Sequence, residues 1–260
     1  MTRRCFLPAS AAPAAWLASN AQTLPAPAIL ELRQILLRNS MDDQSRRTNE
    51  FLEKSHLPAL ARAGAGPVGC FSASIASDSP YLLLVAQYAS VAGWEQAQAK
   101  LAADADYQKA ADRYHMLPGM SYVRVKTSLL RGFRTMPVIE IPPQDKQRPP
   151  RVFELRTYES NNPMTLARKI RMFEEGEIAL FRRLNMTPVF FGETLVGDRM
   201  PNLTYMLCYD SLAMREKVWN DFRKDPEWIK MSAMPGYSNN EIVSNISAVL
   251  LAPTGYSPIR

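Results

Sequence analysis

Glu31-Leu32-Arg33 recurs as Glu154-Leu155-Arg156, and from that tripeptide outward the chain can be laid against itself. At an offset of 121 residues Leu52 meets Phe173, Leu60 meets Phe181, Pro67 meets Pro188 and Tyr88 meets Tyr209. The same offset aligns Ser90 with Ser211, Leu101 with Phe222, Asp104 with Asp225 and Tyr107 with Trp228. So many like-for-like pairs at one spacing point to a tandem duplication. Pro118-Gly119-Met120-Ser121 answers Pro235-Gly236-Tyr237-Ser238 at 117, and Leu129-Leu130 answers Leu250-Leu251 at 121 again. Compensating small insertions near the turns therefore separate the two copies.

Between the copies, residues 142–150 carry four prolines around a polar centre, a composition that favours an extended, semi-rigid spacer. The expected organisation is an export signal at 1–21, a first repeat at 29–141, this linker, and a second repeat at 151–260.

The second copy is the easier to read. Val152 to Tyr158 alternates as a strand, with Phe153 and Leu155 on one face and Glu154 and Arg156 on the other. Asn162-Pro163 suits a helix start, and Leu166, Ile170, Phe173, Leu180, Phe181 and Leu184 follow at helical spacing. Pro188 to Val196 and Leu203 to Tyr209 read as two strands, then a helix carries Met214, Val218 and Phe222. Asp225-Pro226 caps a further helical turn, and Ile242 to Leu251 is expected to close as a strand. The order β-α-β-β-α-β is the ferredoxin-like unit, an open sheet with helices on one face only. Two such units in one chain can press their bare faces together, which predicts an α+β protein closed as an intrachain pseudo-dimeric α/β barrel.

Residues 2 to 7 read Thr-Arg-Arg-Cys-Phe-Leu ahead of an Ala-rich, weakly apolar stretch, and Ser19-Asn20-Ala21 offers small residues before a cut. This resembles a bacterial twin-arginine export signal, processed before Gln22, and implies a periplasmic or secreted protein. Losing Arg3 and Arg4 takes the formal charge from +6 to +4. So small an excess, with no basic stripe interleaved with aromatics, argues against nucleic-acid binding. No apolar run approaches the roughly 18 residues of a membrane-spanning helix, so no integral membrane segment is expected. Once the signal is removed, Cys70 and Cys208 are the remaining cysteines and are expected to be buried free thiols.

Gly64-Ala65-Gly66-Pro67-Val68-Gly69 matches the dinucleotide-binding fingerprint letter for letter. The fingerprint needs a strand before it and a helix after it, and here the order is reversed, so it reads as a helix-terminating turn. His56 and His115 are the two histidines, without metal-ligand spacing; His115, just before a Pro-Gly turn, reads as a surface residue. No metal and no cofactor are predicted, though haem, which needs one histidine, stays open. Trp94, Tyr107, Trp219 and Trp228 read as core anchors of the later helices.

The repeat singles out one polar position. Glu177 interrupts the stripe of Phe173, Leu180 and Phe181, and its counterpart His56 lies between Leu52 and Leu60. An ionisable group on an inward helix face needs a partner or a wet cavity, because burying it alone costs several kcal/mol. Arg33 and Arg156, on the first strands, are the expected partners, and Tyr158 is a further candidate to line a ligand cavity. The alternative is that both groups sit at the helix edge in solvent or in structural ion pairs.

Glu154-Leu155-Arg156-Thr157-Tyr158, the segment Pro188 to Val196, the run from Trp219 to Trp228 and the ending Ser257-Pro258-Ile259-Arg260 together resemble the NIPSNAP family. The resemblance implies tandem domains similar in fold to the dimeric α/β-barrel proteins, and the family has no agreed enzymatic activity. The leading expectation is an exported module that binds a small-molecule ligand or self-associates as a homo-oligomer. The runner-up is a small oxygenase or haem-handling enzyme, by analogy of fold, and a structural partner-binding protein is third.

Overall fold

The computed structural model describes residues 25–39, 43–143 and 149–260. The expected export signal and the linker centre, 144–148, lie outside these residues. The first half runs β1 (Ile29–Leu36), α1 (Gln44–Phe51), α2 (Leu57–Ala63), β2 (Val68–Ile75), β3 (Tyr81–Tyr88), α3 (Val91–Ala103), α4 (Ala105–His115) and β4 (Arg124–Gly132). The second runs β5 (Val152–Glu159), α5 (Pro163–Met172), α6 (Ile178–Arg183), β6 (Thr187–Val196), β7 (Asn202–Tyr209), α7 (Leu212–Lys224), α8 (Pro226–Ser232), α9 (Asn239–Ile242) and β8 (Asn245–Pro253). In each half the first helix pair is continuous through a π-helical turn, Leu52–His56 between α1 and α2 and Phe173–Glu177 between α5 and α6.

Several residues that align across the repeat have the same local task. Ser90 and Ser211 cap α3 and α7 by accepting from the backbone N–H of Gly93 and Met214. Asp104 and Asp225 cap α4 and α8 in the same way. Asn162 caps α5 with Pro163 in its first turn. The dinucleotide-like glycines end a helix, with Gly64 in the left-handed region at φ 104°. One boundary differs from the sequence reading: Ile242 ends α9, because Ser238 and Glu241 form a capping box that starts a helical turn there, and β8 begins only at Asn245.

All eight strands pair antiparallel and close a barrel in the order β1-β3-β2-β8-β5-β7-β6-β4. Each half therefore contributes four neighbouring strands, and two seams join the halves. At one, Phe71 to Ile75 pairs with Pro253 to Leu250; at the other, Leu129 to Gly132 pairs with Val196 to Gly192. Chain beyond β4 and β8 reinforces the seams by lapping onto the opposite half. Phe133 and Glu140 donate backbone N–H groups to Phe191 and Val189 beside β4, and Thr254 donates to Cys70 beside β8. Ile259 then buries itself in the barrel interior.

Strand alternation separates three cores. Leu30, Phe71, Val85, Leu130, Phe153, Phe190 and Met206 fill the barrel. Leu52, Leu60, Leu84 and Leu101 lie under the helices of the first half, and Phe173, Phe181, Phe191, Tyr205 and Trp219 under those of the second. Cys70 and Cys208 are free and buried, and they belong to different cores, Cys70 under the helices and Cys208 inside the barrel.

Candidate functional site

On β5 the alternation that sends Phe153 and Leu155 into the barrel sends Glu154, Arg156 and Tyr158 under the helices. Glu154 is wholly buried, yet its carboxylate is fully engaged. Arg156 donates to it at 2.7 Å, Arg215 at 2.6 Å, the Trp219 indole at 2.9 Å and the Tyr209 hydroxyl at 3.1 Å. Burial pushes its pKa up, but Arg215, Arg156 and Trp219 together outweigh burial and hold it below the usual carboxylate range. Arg156 lies 4.5 Å over the Trp219 ring and donates to Tyr158, whose hydroxyl accepts from Tyr205 at 3.0 Å. Burial, reinforced by Tyr158, pushes the Tyr205 phenol well above its ordinary value.

A second buried ion pair sits beside this chain of contacts. Lys169 Nζ donates to Glu177 at 2.8 Å, and both side chains are essentially inaccessible. The ammonium lies 4.5 Å from the Phe173 ring and 5.4 Å from both Tyr158 and Trp228, an aromatic surround suited to a desolvated cation. Burial holds Glu177 above the usual carboxylate range, only partly offset by the Lys169 charge.

The first half keeps part of this pattern. Glu31 accepts from Arg33 and Tyr88, both at 3.0 Å. At the positions aligned with Arg215 and Trp219 stand Trp94 and Gln98, and Trp94 Nε1 and Gln98 Nε2 find no hydrogen-bond partner among the described residues. Thr48 stands where Lys169 does and bonds to the Tyr114 hydroxyl. His56, at the end of its π turn, meets the Tyr107 hydroxyl at 3.0 Å. Burial, helped by the positive charge of Arg33, lowers its pKa to about 4, so the imidazole is neutral at physiological pH.

His56 and Glu177 are thus both buried at equivalent ends of π turns, but the structure does not bring them together. The expected partners are corrected. Glu177 pairs with Lys169 rather than Arg156, and His56 with Tyr107 rather than Arg33, because each arginine is already held by the glutamate two residues before it on its own strand. Tyr158 lies under the helices in the polar chain. Glu154, Lys169 and Arg215 were not singled out by sequence, although Lys169 does carry a signal, lying three residues after Leu166 and four before Phe173 on the apolar stripe. His115 is exposed, beside Ser121. Among the described residues no group of three His, Cys, Asp or Glu could hold a metal ion, and no helix is long and apolar enough to cross a membrane.

The polar chain reaches the surface at a cleft of about 370 Å³ lined by Arg156, Arg215, Glu216, Trp219, Asn220 and Arg223. The α7 spacing of Arg215, Trp219 and Arg223 sets these three on one helix face. Arg156 and Arg215 share one carboxylate, so the pair keeps a positive charge at a half-buried site. Their Nε–H groups lack acceptors among the described residues.

The NIPSNAP family model matches residues 153–258. No curated protein matches the chain. Among solved structures, a proposed monooxygenase from Lactobacillus acidophilus NCFM is similar with a TM-score of 0.58 at 12% identity, over 87% of this chain and 94% of that one. Another, from Fusobacterium nucleatum, has a TM-score of 0.59 at 9% identity, over 88% and 93%. An anthrone oxidase-like protein has a TM-score of 0.53 at 9% identity, over 89% and 93%. At these identities the likeness shows a shared α/β-barrel fold and nothing of activity. The family match lies on the half that holds the Glu154 and Lys169 clusters, and residues 153–258 carry a NIPSNAP domain.

Proposed function

We propose that the chain is an exported ligand-binding protein built from two ferredoxin-like modules, the second of which binds a small anion in the cleft beside Arg156, Arg215 and Arg223. The observation that carries this reading is the charge count around one buried carboxylate. Two guanidiniums share the one carboxylate of Glu154, and the rim adds a third cation, Arg223, and a second carboxylate, Glu216. A planar carboxylate or a phosphate meets such forks with paired hydrogen bonds. The first module, with Trp94 and Gln98 at the aligned positions, has no counterpart cleft chemistry, so one site per chain is expected.

Titration calorimetry with acetate, succinate and inorganic phosphate tests the reading. One of them should bind with one-to-one stoichiometry, and Arg223→Ala should weaken it about tenfold, the loss of ~1.4 kcal/mol. No binding, or binding indifferent to Arg223, would sink it. An oxygenase working between helices and sheet is less well supported, because in the second half the Phe173, Phe181, Phe191 and Tyr205 rings fill that space. Haem or flavin absorbance co-purifying with the folded protein would favour it instead. Export is checked by mass: the periplasmic protein should lack residues 1–21.

A further inference from the structure

The barrel interior changes character along its axis. On β5 the inward residues step from Phe153 through Leu155 to Thr157, and on β8 from Leu251 through Val249 to Ser247. On β1 they step from Leu30 through Leu32 to Gln34, with the apolar Leu36 beyond it. The period-two alternation is unbroken, so these polar residues occupy core-facing positions by register and not by slippage. Apolar residues close one end; at the other, hydroxyl and amide groups surround a cavity of about 160 Å³.

Those groups are pre-positioned. Thr157 and Thr204 hydroxyls meet at 2.9 Å. Thr194 donates to Asn202 at 2.6 Å, and Asn202 in turn donates to the carbonyls of Asp198 and Arg199, both at 2.9 Å. Thr194, Asn202 and Thr204 are all buried. Each hydroxyl offers one donor and two acceptor positions, so each keeps hydrogen-bonding capacity beyond the bond it makes here.

The rim decides the charge of what enters. Lys126 is neutralised by Asp78 at 2.8 Å, while Arg199 lies between Asp198 and Glu159 and donates to Ser247 at 3.1 Å. The rim cations are therefore matched by carboxylates and the interior groups carry no charge, which disfavours an ion. Asp78 and Arg199 also hold left-handed backbone, at φ 58° and 56°. That conformation is uncommon outside glycine, and it turns both hairpin loops over the same mouth.

We infer that this mouth is a binding site for a small neutral polyol, held by the hydroxyl ring around Thr157 and Thr204 with its carbon chain against Leu32, Leu83, Leu155 and Val249. Mouths of β-barrels are recurrent ligand sites. The volume equals that of about five waters at ~30 Å³ each, the scale of a short-chain polyol. The site is separate from the arginine cleft and does not depend on it.

Glycerol, erythritol and xylitol at low millimolar concentration are the probes, read by saturation-transfer NMR and calorimetry on the full chain. Melting shifts are avoided because polyols stabilise most proteins by exclusion from their surfaces. At least one probe should bind saturably, one per chain. Thr157→Val, which keeps the volume and removes the hydroxyl, should weaken it about tenfold. Ser128→Ala, on the cavity wall, should also weaken it and serves if the valine variant fails to fold. Absence of saturable binding by all three polyols, affinity unchanged in the folded variants, or preferential binding of acetate at the same hydroxyls would each overturn the inference.

Discussion

Lys169 and Glu177 are costly residues to disturb singly. Each is desolvated, and each is tolerated only because the other neutralises it at 2.8 Å. Removing one partner strands a buried charge, so Lys169→Met alone is expected to destabilise by about 3–5 kcal/mol. The double variant Lys169→Met/Glu177→Leu should cost less than either single change, and urea unfolding of all four proteins measures the coupling. His56 gives a pH signature instead. Its folded pKa is about 4 against an ordinary 6.5, so the unfolded chain takes up the proton first. Its contribution is complete above pH 6.5 and is lost as pH falls from there toward 4. The change amounts to about 3 kcal/mol over that window, and His56→Gln should remove it from a series of unfolding curves.

At the scale of single elements, the seams depend on close backbone approach. A Cβ at Gly132 would lie 2.6 Å from the carbonyl oxygen of Pro137, where the chain doubles back after β4. Backbone cannot yield as a side-chain tip does, so Gly132→Ala should cost about 1–3 kcal/mol in thermal unfolding. Gly93, with its nearest neighbour 3.5 Å away in the first turn of α3, should accept alanine without loss. Much of this level was legible in the sequence. Asn162 and Asp225 announced helix starts because a cap is a local act between a side chain and a backbone N–H three residues on or fewer. Alternation on β5 sorted Glu154 from Phe153 for the same reason. The π turns left no such mark. They displace the stripe by a fraction of a turn, which moves Lys169 within reach of Glu177 eight residues later, and only the packed helix shows it. The cleft was equally hidden, since Arg156 and Arg215 belong to a strand and a helix whose meeting is a tertiary event.

For the whole molecule, the barrel is one surface divided between two halves, and neither half can bury its share alone. The second half without the first would expose Phe153, Phe190, Met206 and Leu251, all buried in the intact chain. It would also leave β6 and β8 as open edges. Both seams have one form, the second strand of one half against the fourth of the other, β2 with β8 and β6 with β4. Two copies of the second half could therefore repeat that pairing, β6 of one against β8 of the other, and their tails beyond β8 could lap across as Ile259 does now. Residues 149–260 expressed alone are thus expected to sediment as a homodimer, with a melting temperature that rises with concentration. A folded monomer of native stability would show that the shared interior is not what holds the halves together. Adding Phe190→Asp should abolish the dimer, because the charge would have to be buried unpaired in the re-formed barrel; an unchanged dimer would place the interface somewhere other than the barrel face.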